Sequence, residues 1–342
     1  MKKRIVYFDV LKVITCFMVI MIHVISRNWY VLDLKGNEFT FLTILDSICR
    51  CAVPIYLMIS GAIFLNEDKN IKIKDMFRKY ILNIFLIYLF WNMTYSILNI
   101  IVYGNKIINV KVLKDIFIST ILGNGIFHLK FLVTIIGFYL CVPFVRCITK
   151  KENKNLLQYL IILLFIFTCT PSILTMFNIN LKYPTLFTGF TLYFILGYYL
   201  NTFEINKKYR YVVYILGLIS LIITPILTIN YSILNNIHSQ RFFEYGSFNI
   251  YLYSASLFLL FKNIFNKKEE TKLLNSLSKL YFGIYLIHGL VLGLLMKYNV
   301  FNLNMNLTIK VFFISLIVFI ISLITSFILS KIPFIKRLIY VK

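Results

Sequence analysis

Charge is scarce in this 342-residue chain, and negative charge scarcer still. Only 14% of residues are charged, against 60% hydrophobic, and Asp and Glu together number 13. A soluble globular domain carries about 25% charged and 45–50% apolar residues, so composition alone excludes one and points to an integral membrane protein. Mean hydropathy, at +0.82, agrees. The other absences narrow the field. No polar connection exceeds about two dozen residues, too short for a separate soluble domain. The six cysteines contain no Cys-x-x-Cys pair, and Cys49 and Cys51, two apart, face away from each other on a helix. No metal site is expected from them, and they read as small core hydrophobes. The first apolar run lacks a convincing small-residue cleavage site and is expected to stay as a span. The two halves show no clear repeat of the kind many transporters carry.

What is present is a succession of apolar runs rich in Phe (33) and Tyr (24). About ten spans of bilayer length can be drawn: 6–28, 45–65, 80–103, 127–146, 156–178, 185–203, 210–231, 247–265, 277–297 and 307–331. The expected fold is an all-α polytopic membrane protein, one bundle of about ten transmembrane helices forming a single domain over 1–342. A net charge of +23 would suggest a nucleic-acid partner in a soluble protein. Here the cations alternate between loops: 24 Lys/Arg fall in one set, which includes both termini, and nine in the other. That bias is the positive-inside pattern, so both termini are expected in the cytoplasm and no nucleic acid is expected as partner. Residues 112–122, followed by Gly123-Asn-Gly125, read as a short interfacial helix ended by glycines.

Ionisable residues inside spans cost a few kcal/mol or more and usually mark a pathway or site. The first run holds three: Asp9, Lys12 and His23. Lys12 and His23 are eleven residues apart, which brings them to within roughly 20° of one helical face and about 16 Å apart along the axis. Asp9, three residues before Lys12, can pair with it; neutralising a buried lysine and a functional role stand level as explanations. With the N-terminus inside, Arg50 and Asp46 are expected at the outer end of the second span and His128 and Lys130 at the outer end of the fourth. His23, Arg50 and His128 are then expected to share an outward-facing cavity, with Glu244 in reach. His288 reads as a packing and hydrogen-bonding residue, and Lys130 as interfacial. Pro54, Ser60 and Gly61 in the second span fit either a kink with close helix packing or a backbone opening that lines a cavity.

Taken together, four stretches resemble the bacterial membrane-bound acyltransferase family 3, whose members O-acylate envelope glycans. Asp9-Val-Leu-Lys12 with His23 is similar to the family's Asp, Arg-or-Lys and His pattern in its first helix. Val53-Pro54 through Ser60-Gly61 is similar to "VPxFFxxSG". His128-Leu-Lys130-Phe-Leu, followed by Tyr139-Leu-Cys-Val-Pro143, is similar to "HLWFL". Tyr281-Phe-Gly-Ile-Tyr-Leu-Ile-His288 is similar to "YSIYLIH". Lys130 stands where the family usually has tryptophan, and its frequent cytoplasmic arginine pair is represented only by Arg78-Lys79.

The resemblance implies a multi-pass O-acyltransferase of the cell membrane that joins a cytoplasmic donor to an outer acceptor. It would take an acyl group, acetyl in the first instance, from acyl-CoA as co-substrate, with no bound cofactor. The acceptor would be a hydroxyl of a glycan or lipid-linked glycan. The resemblance assigns His23 the role of general base or transient acyl carrier, and Arg50 that of oxyanion stabiliser. Lys12 and Asp9 would organise the helix face between donor and acceptor. Lys72, Lys74, Arg78 and Lys79 would hold the CoA phosphates. The alternative from another class is a transporter or exporter of a glycan intermediate, its buried cations lining a path.

Overall fold

A computed structural model describes residues 4–69, 71–104, 108–177, 179, 189–299 and 305–340. The described residues form helices and no strand: α1 Val6–Trp29, α2 Asn37–Cys49, α3 Ala52–Phe64, α4 Ile73–Asp75, α5 Leu82–Tyr103, α6 Val110–Ile121 and α7 Lys130–Ile148. They continue with α8 Lys154–Leu174, α9 Gly189–Thr202, α10 Lys207–Asn235, α11 Phe248–Phe265, α12 Lys272–Lys297, α13 Leu307–Leu329 and the short α14 Pro333–Ile339. In apolar solvent the backbone must satisfy its own N–H and C=O groups, which a helix does within one segment.

Nine stretches among the described residues are long and apolar enough to cross a bilayer. The chain is an all-α polytopic membrane protein. The tenth expected span, 185–203, is represented by the 14-residue α9, and residues 185–188 lie outside the described residues.

The second span differs from the expectation in a way that matters. It runs Asn37–Phe64, not 45–65, because α2 already starts at Asn37 and α3 follows it with a two-residue pause at Arg50–Cys51. Pro54 fits the pause: it has no N–H to give the Arg50 carbonyl, and it stands in the first turn of α3. Arg50 therefore sits near the middle of a 28-residue segment, about 20 Å from either end, rather than at an outer end. Arg50 is buried there, at 7% exposure.

The chain divides into two compact units. The first comprises 1–69, 144–278 and 301–317. Its tightest seam joins α3 to α9. A Cβ on Gly61 would lie 1.8 Å from the Phe194 carbonyl oxygen, and one on Gly197 2.0 Å from that of Met58. Small residues let helix backbones touch where lipid offers no hydrophobic drive, so Gly61 serves helix packing, the first of its two readings. α10 meets α11 in the same manner, with Gly217 against Ser256 and a buried polar stripe of Ser220, Thr224, Thr228 and Ser232. Helix α1 packs on α11 through Tyr7 and Phe258, ring centroids 5.6 Å apart and edge to face.

The second unit comprises 70–143, 279–300 and 318–342. Here α4 runs through a π-helical turn, Met76–Ile81, into α5. The expected interfacial helix is α6, capped by the Asn109 side chain, which accepts from the Val112 N–H; Gly123 beyond it takes a left-handed φ of +80°. Gly283 of α12 faces Ser326 of α13, and Trp91 Nε1 of α5 donates to the Leu338 carbonyl of α14 at 2.9 Å.

Candidate active site

The N-terminal end of α1 carries a compact charge cluster. Asp9, 3% exposed, is flanked by two cations: Arg4 Nε at 3.3 Å and Lys12 Nζ at 3.4 Å. Arg4 is itself anchored by Asn275 and Ser278 on α12. The helix is fixed further by Tyr7, whose hydroxyl donates to Asn201 Oδ1 on α9 at 2.6 Å. Tyr56 on α3 donates to the Lys12 carbonyl at 3.2 Å and lies within hydrogen-bonding reach of the Cys16 thiol. The face that carries Lys12, Cys16 and His23 is thereby set beside Tyr56. Lys12 and His23 are half-buried and Cys16 is buried.

Two contacts set the register of α2 against α1. Cys49 Sγ meets Met21 Sδ at 3.6 Å, and Trp29 Nε1 donates to Thr43 Oγ1 at 2.9 Å. The segments run antiparallel, so His23, two residues past Met21, and Arg50, one past Cys49, lie within about one helical turn of the same level. Arg50 is 7% exposed. Its Nε and Nη2 donate to the two oxygens of Asp46 at 3.0 and 2.5 Å, and its Cζ lies 4.4 Å from the centre of the Phe243 ring. A guanidinium clamped along one edge and covered on one face keeps Nη1 for another acceptor. Chemically the first unit thus offers, at one level, an imidazole and a fixed cation, with a second cation further along the same face of α1.

His128 and His288 come together in the second unit, their rings 5.0 Å apart. The Tyr95 hydroxyl donates its one proton to the Leu286 carbonyl at 2.8 Å and accepts from the Leu290 N–H at 3.1 Å. The 3.0 Å contact from His128 Nε2 to that hydroxyl is therefore a donation by the imidazole. His288, 1% exposed, directs Nδ1 at the Tyr285 carbonyl at 2.5 Å, which makes Nδ1 the protonated nitrogen. Tyr285 in turn donates to the His128 carbonyl. Lys130 is exposed at the start of α7. Lys72, Lys74, Arg78 and Lys79 are exposed around the π-helical turn, with Lys79 paired to Asp75 at 3.0 Å. Glu244 is exposed and lies next in the chain to Phe243.

The sequence itself matches a known family. The acyltransferase domain of acyltransferase family 3 matches residues 5–331. The chain belongs to that family. No curated protein and no solved structure matches it. The protein is thus a membrane acyltransferase, transferring groups other than aminoacyl groups. Three neighbours of its site residues, Asp46, Phe243 and Tyr56, had no role assigned from sequence. Asp46 stands four residues before Arg50, the spacing of a helical ion pair, so its role was there to be read. Phe243 and Tyr56 carry no such signal, since each reaches the site from a distant helix or turn.

Proposed function

We propose that the acyltransferase moves an acyl group, acetyl in the simplest case, from cytoplasmic acyl-CoA to a hydroxyl of a cell-surface or envelope polysaccharide, working in the cell membrane. The observation that carries this reading is the level shared by His23 and the buried, clamped Arg50. The loop charge bias supports an orientation with Lys12 toward the cytoplasm and His23 toward the outer side. The exposed Lys72, Lys74, Arg78 and Lys79 have the charge to bind CoA phosphates.

In this mechanism the His23 imidazole takes the proton of the acceptor hydroxyl as its oxygen attacks the thioester carbonyl. The oxyanion that forms is met by Arg50, whose charge is already fixed and needs no reorganisation. The carbon–sulfur bond then breaks, the ester remains on the glycan, and the CoA sulfur receives a proton from His23. Membrane lipid surrounds the enzyme, and the acceptor is a glycan or lipid-linked glycan whose hydroxyl reaches His23, with His128 and Glu244 as further acceptor-side candidates. The test is transfer of labelled acetyl from acetyl-CoA into the glycan fraction by purified protein in proteoliposomes. His23→Ala is expected to abolish transfer while the protein stays monodisperse; undiminished transfer by that variant would sink the assignment.

A further inference from the structure

Phe243 reaches Arg50 on a short turn, and that turn is pinned. It belongs to the helical turn Arg241–Phe243 just before α11. Asn249, fully buried on α11, donates through Nδ2 to the Phe242 carbonyl and to Thr224 Oγ1 on α10, both at 2.8 Å. The Ser247 hydroxyl donates to the Arg241 carbonyl at 3.2 Å. Phe243 itself is 1% exposed and lies 6.2 Å from the Trp29 ring on α1. The buried Asn249 Oδ1 has no hydrogen-bond partner among the described residues. A buried amide oxygen left without a partner is costly, and a leucine would fill a helix–helix seam without that cost. The amide makes sense for what its nitrogen holds.

We propose that Asn249 and Phe243 are positioning residues of the transfer reaction: Asn249 fixes the turn, and Phe243 holds the Arg50 guanidinium so that its open edge meets the oxyanion. The inference rests on the reading of Arg50 given above. Asp46 alone fixes the guanidinium along one edge but leaves it free to tilt about that edge. The Phe243 ring removes the tilt, and its negative face favours the cation within about 6 Å. A tilt of the donor group is expensive because oxyanion donors act only in a narrow geometry.

The experiment uses the full chain in proteoliposomes, with labelled acetyl-CoA as donor and the membrane glycan fraction as acceptor. Phe243→Leu and Asn249→Ala are each expected to lower transfer at saturating acetyl-CoA roughly tenfold or more per folded molecule, and Asn249→Ala, which strands the buried Phe242 carbonyl, also to lower the melting temperature. Phe243→Tyr, which keeps the ring, is expected to stay near wild type. Arg50→Lys is expected to lose most activity, and adding Phe243→Leu to it to cost nothing further, since the ring acts through the arginine. A merely structural ring would instead lower the melting temperature and leave transfer per folded molecule unchanged. Wild-type transfer by Phe243→Leu, in a protein that Arg50→Lys disables, overturns the positioning role alone. Wild-type transfer by Arg50→Lys overturns the reading of Arg50 and the positioning role with it. If Phe243→Leu does not fold, Asn249→Ala takes its part in the cycle; failure of both to fold makes the turn a structural element and also overturns the proposal.

Discussion

Asp46 and Arg50 form a two-point ion pair inside the second span, Nε to Oδ1 at 3.0 Å and Nη2 to Oδ2 at 2.5 Å. Their exposures are 2% and 7%, so neither charge has much water to fall back on. Removing one partner from such a pair strands the other, at about 3–5 kcal/mol, whereas replacing both with apolar groups of similar volume is often close to neutral. Asp46→Asn is expected to lower the melting temperature in detergent and to abolish transfer. The double change Asp46→Leu with Arg50→Met is expected to regain stability but no activity. An unshifted melting temperature for Asp46→Asn would show that the pair is not desolvated.

The α3–α9 seam predicts a contrast among glycines. Gly61→Ala and Gly197→Ala drive a methyl group to within 1.8 and 2.0 Å of carbonyl oxygens that belong to the facing helix backbone. Backbone cannot move aside as a flexible side chain can, so each should cost at least the roughly 1–3 kcal/mol typical of overpacking. Gly137→Ala and Gly293→Ala, with nothing within 4 Å of the added atom, should be neutral or stabilise their helices by up to about 1 kcal/mol. Fluorescence-detected size exclusion after heating checks all four, and a heat-stable Gly61→Ala protein would contradict the seam.

Lys262 caps a helix from outside it. Its Nζ reaches the carbonyls of Leu200, Asn201 and Phe203 at 2.7, 3.0 and 3.4 Å, the C-terminal end of α9, where helix carbonyls lack partners. Asn201 also accepts the Tyr7 hydroxyl, so the cap bears on the position of α1. Lys262→Met should cost about 1.5–3 kcal/mol for charged hydrogen bonds lost, and Lys262→Arg should recover part of it. Thermal unfolding of the two variants side by side is the measurement; equal stabilities would remove the capping role.

Hydropathy made the helical spans legible because the bilayer imposes length and polarity on each one separately. Asp9 with Lys12 was legible for a similar reason, since three residues along a helix fix the pair. The depth of Arg50 was not. Asn37–Ile44 mixes polar and apolar residues and reads as loop, yet it forms the opening turns of α2 and carries Arg50 to mid-span. The meeting of His128 with His288 was also out of reach, because some 160 positions along the chain hold no local signal for a contact made by packing. Family motifs marked both histidines without saying that they touch.

That meeting gives a last prediction, on Gly289. A Cβ there would lie 2.6 Å from His128 Cε1 and 2.7 Å from the Tyr95 hydroxyl. The two groups do not yield at equal cost. The Tyr95 hydroxyl is tied to the Leu286 carbonyl, the Leu290 N–H and His128 Nε2, and moving it breaks three hydrogen bonds at about 0.5–1.5 kcal/mol each. The imidazole is thus the group that must swing away. If His128 serves the acceptor side, Gly289→Ala and His128→Ala should lose transfer to a similar extent. Tyr95→Phe, which keeps the ring but not its hydroxyl, should fall between them and wild type. Labelled-acetyl transfer at equal amounts of folded protein compares the three. Full activity in Gly289→Ala beside an inactive His128→Ala would mean that the imidazole works from a position other than the one Tyr95 holds it in.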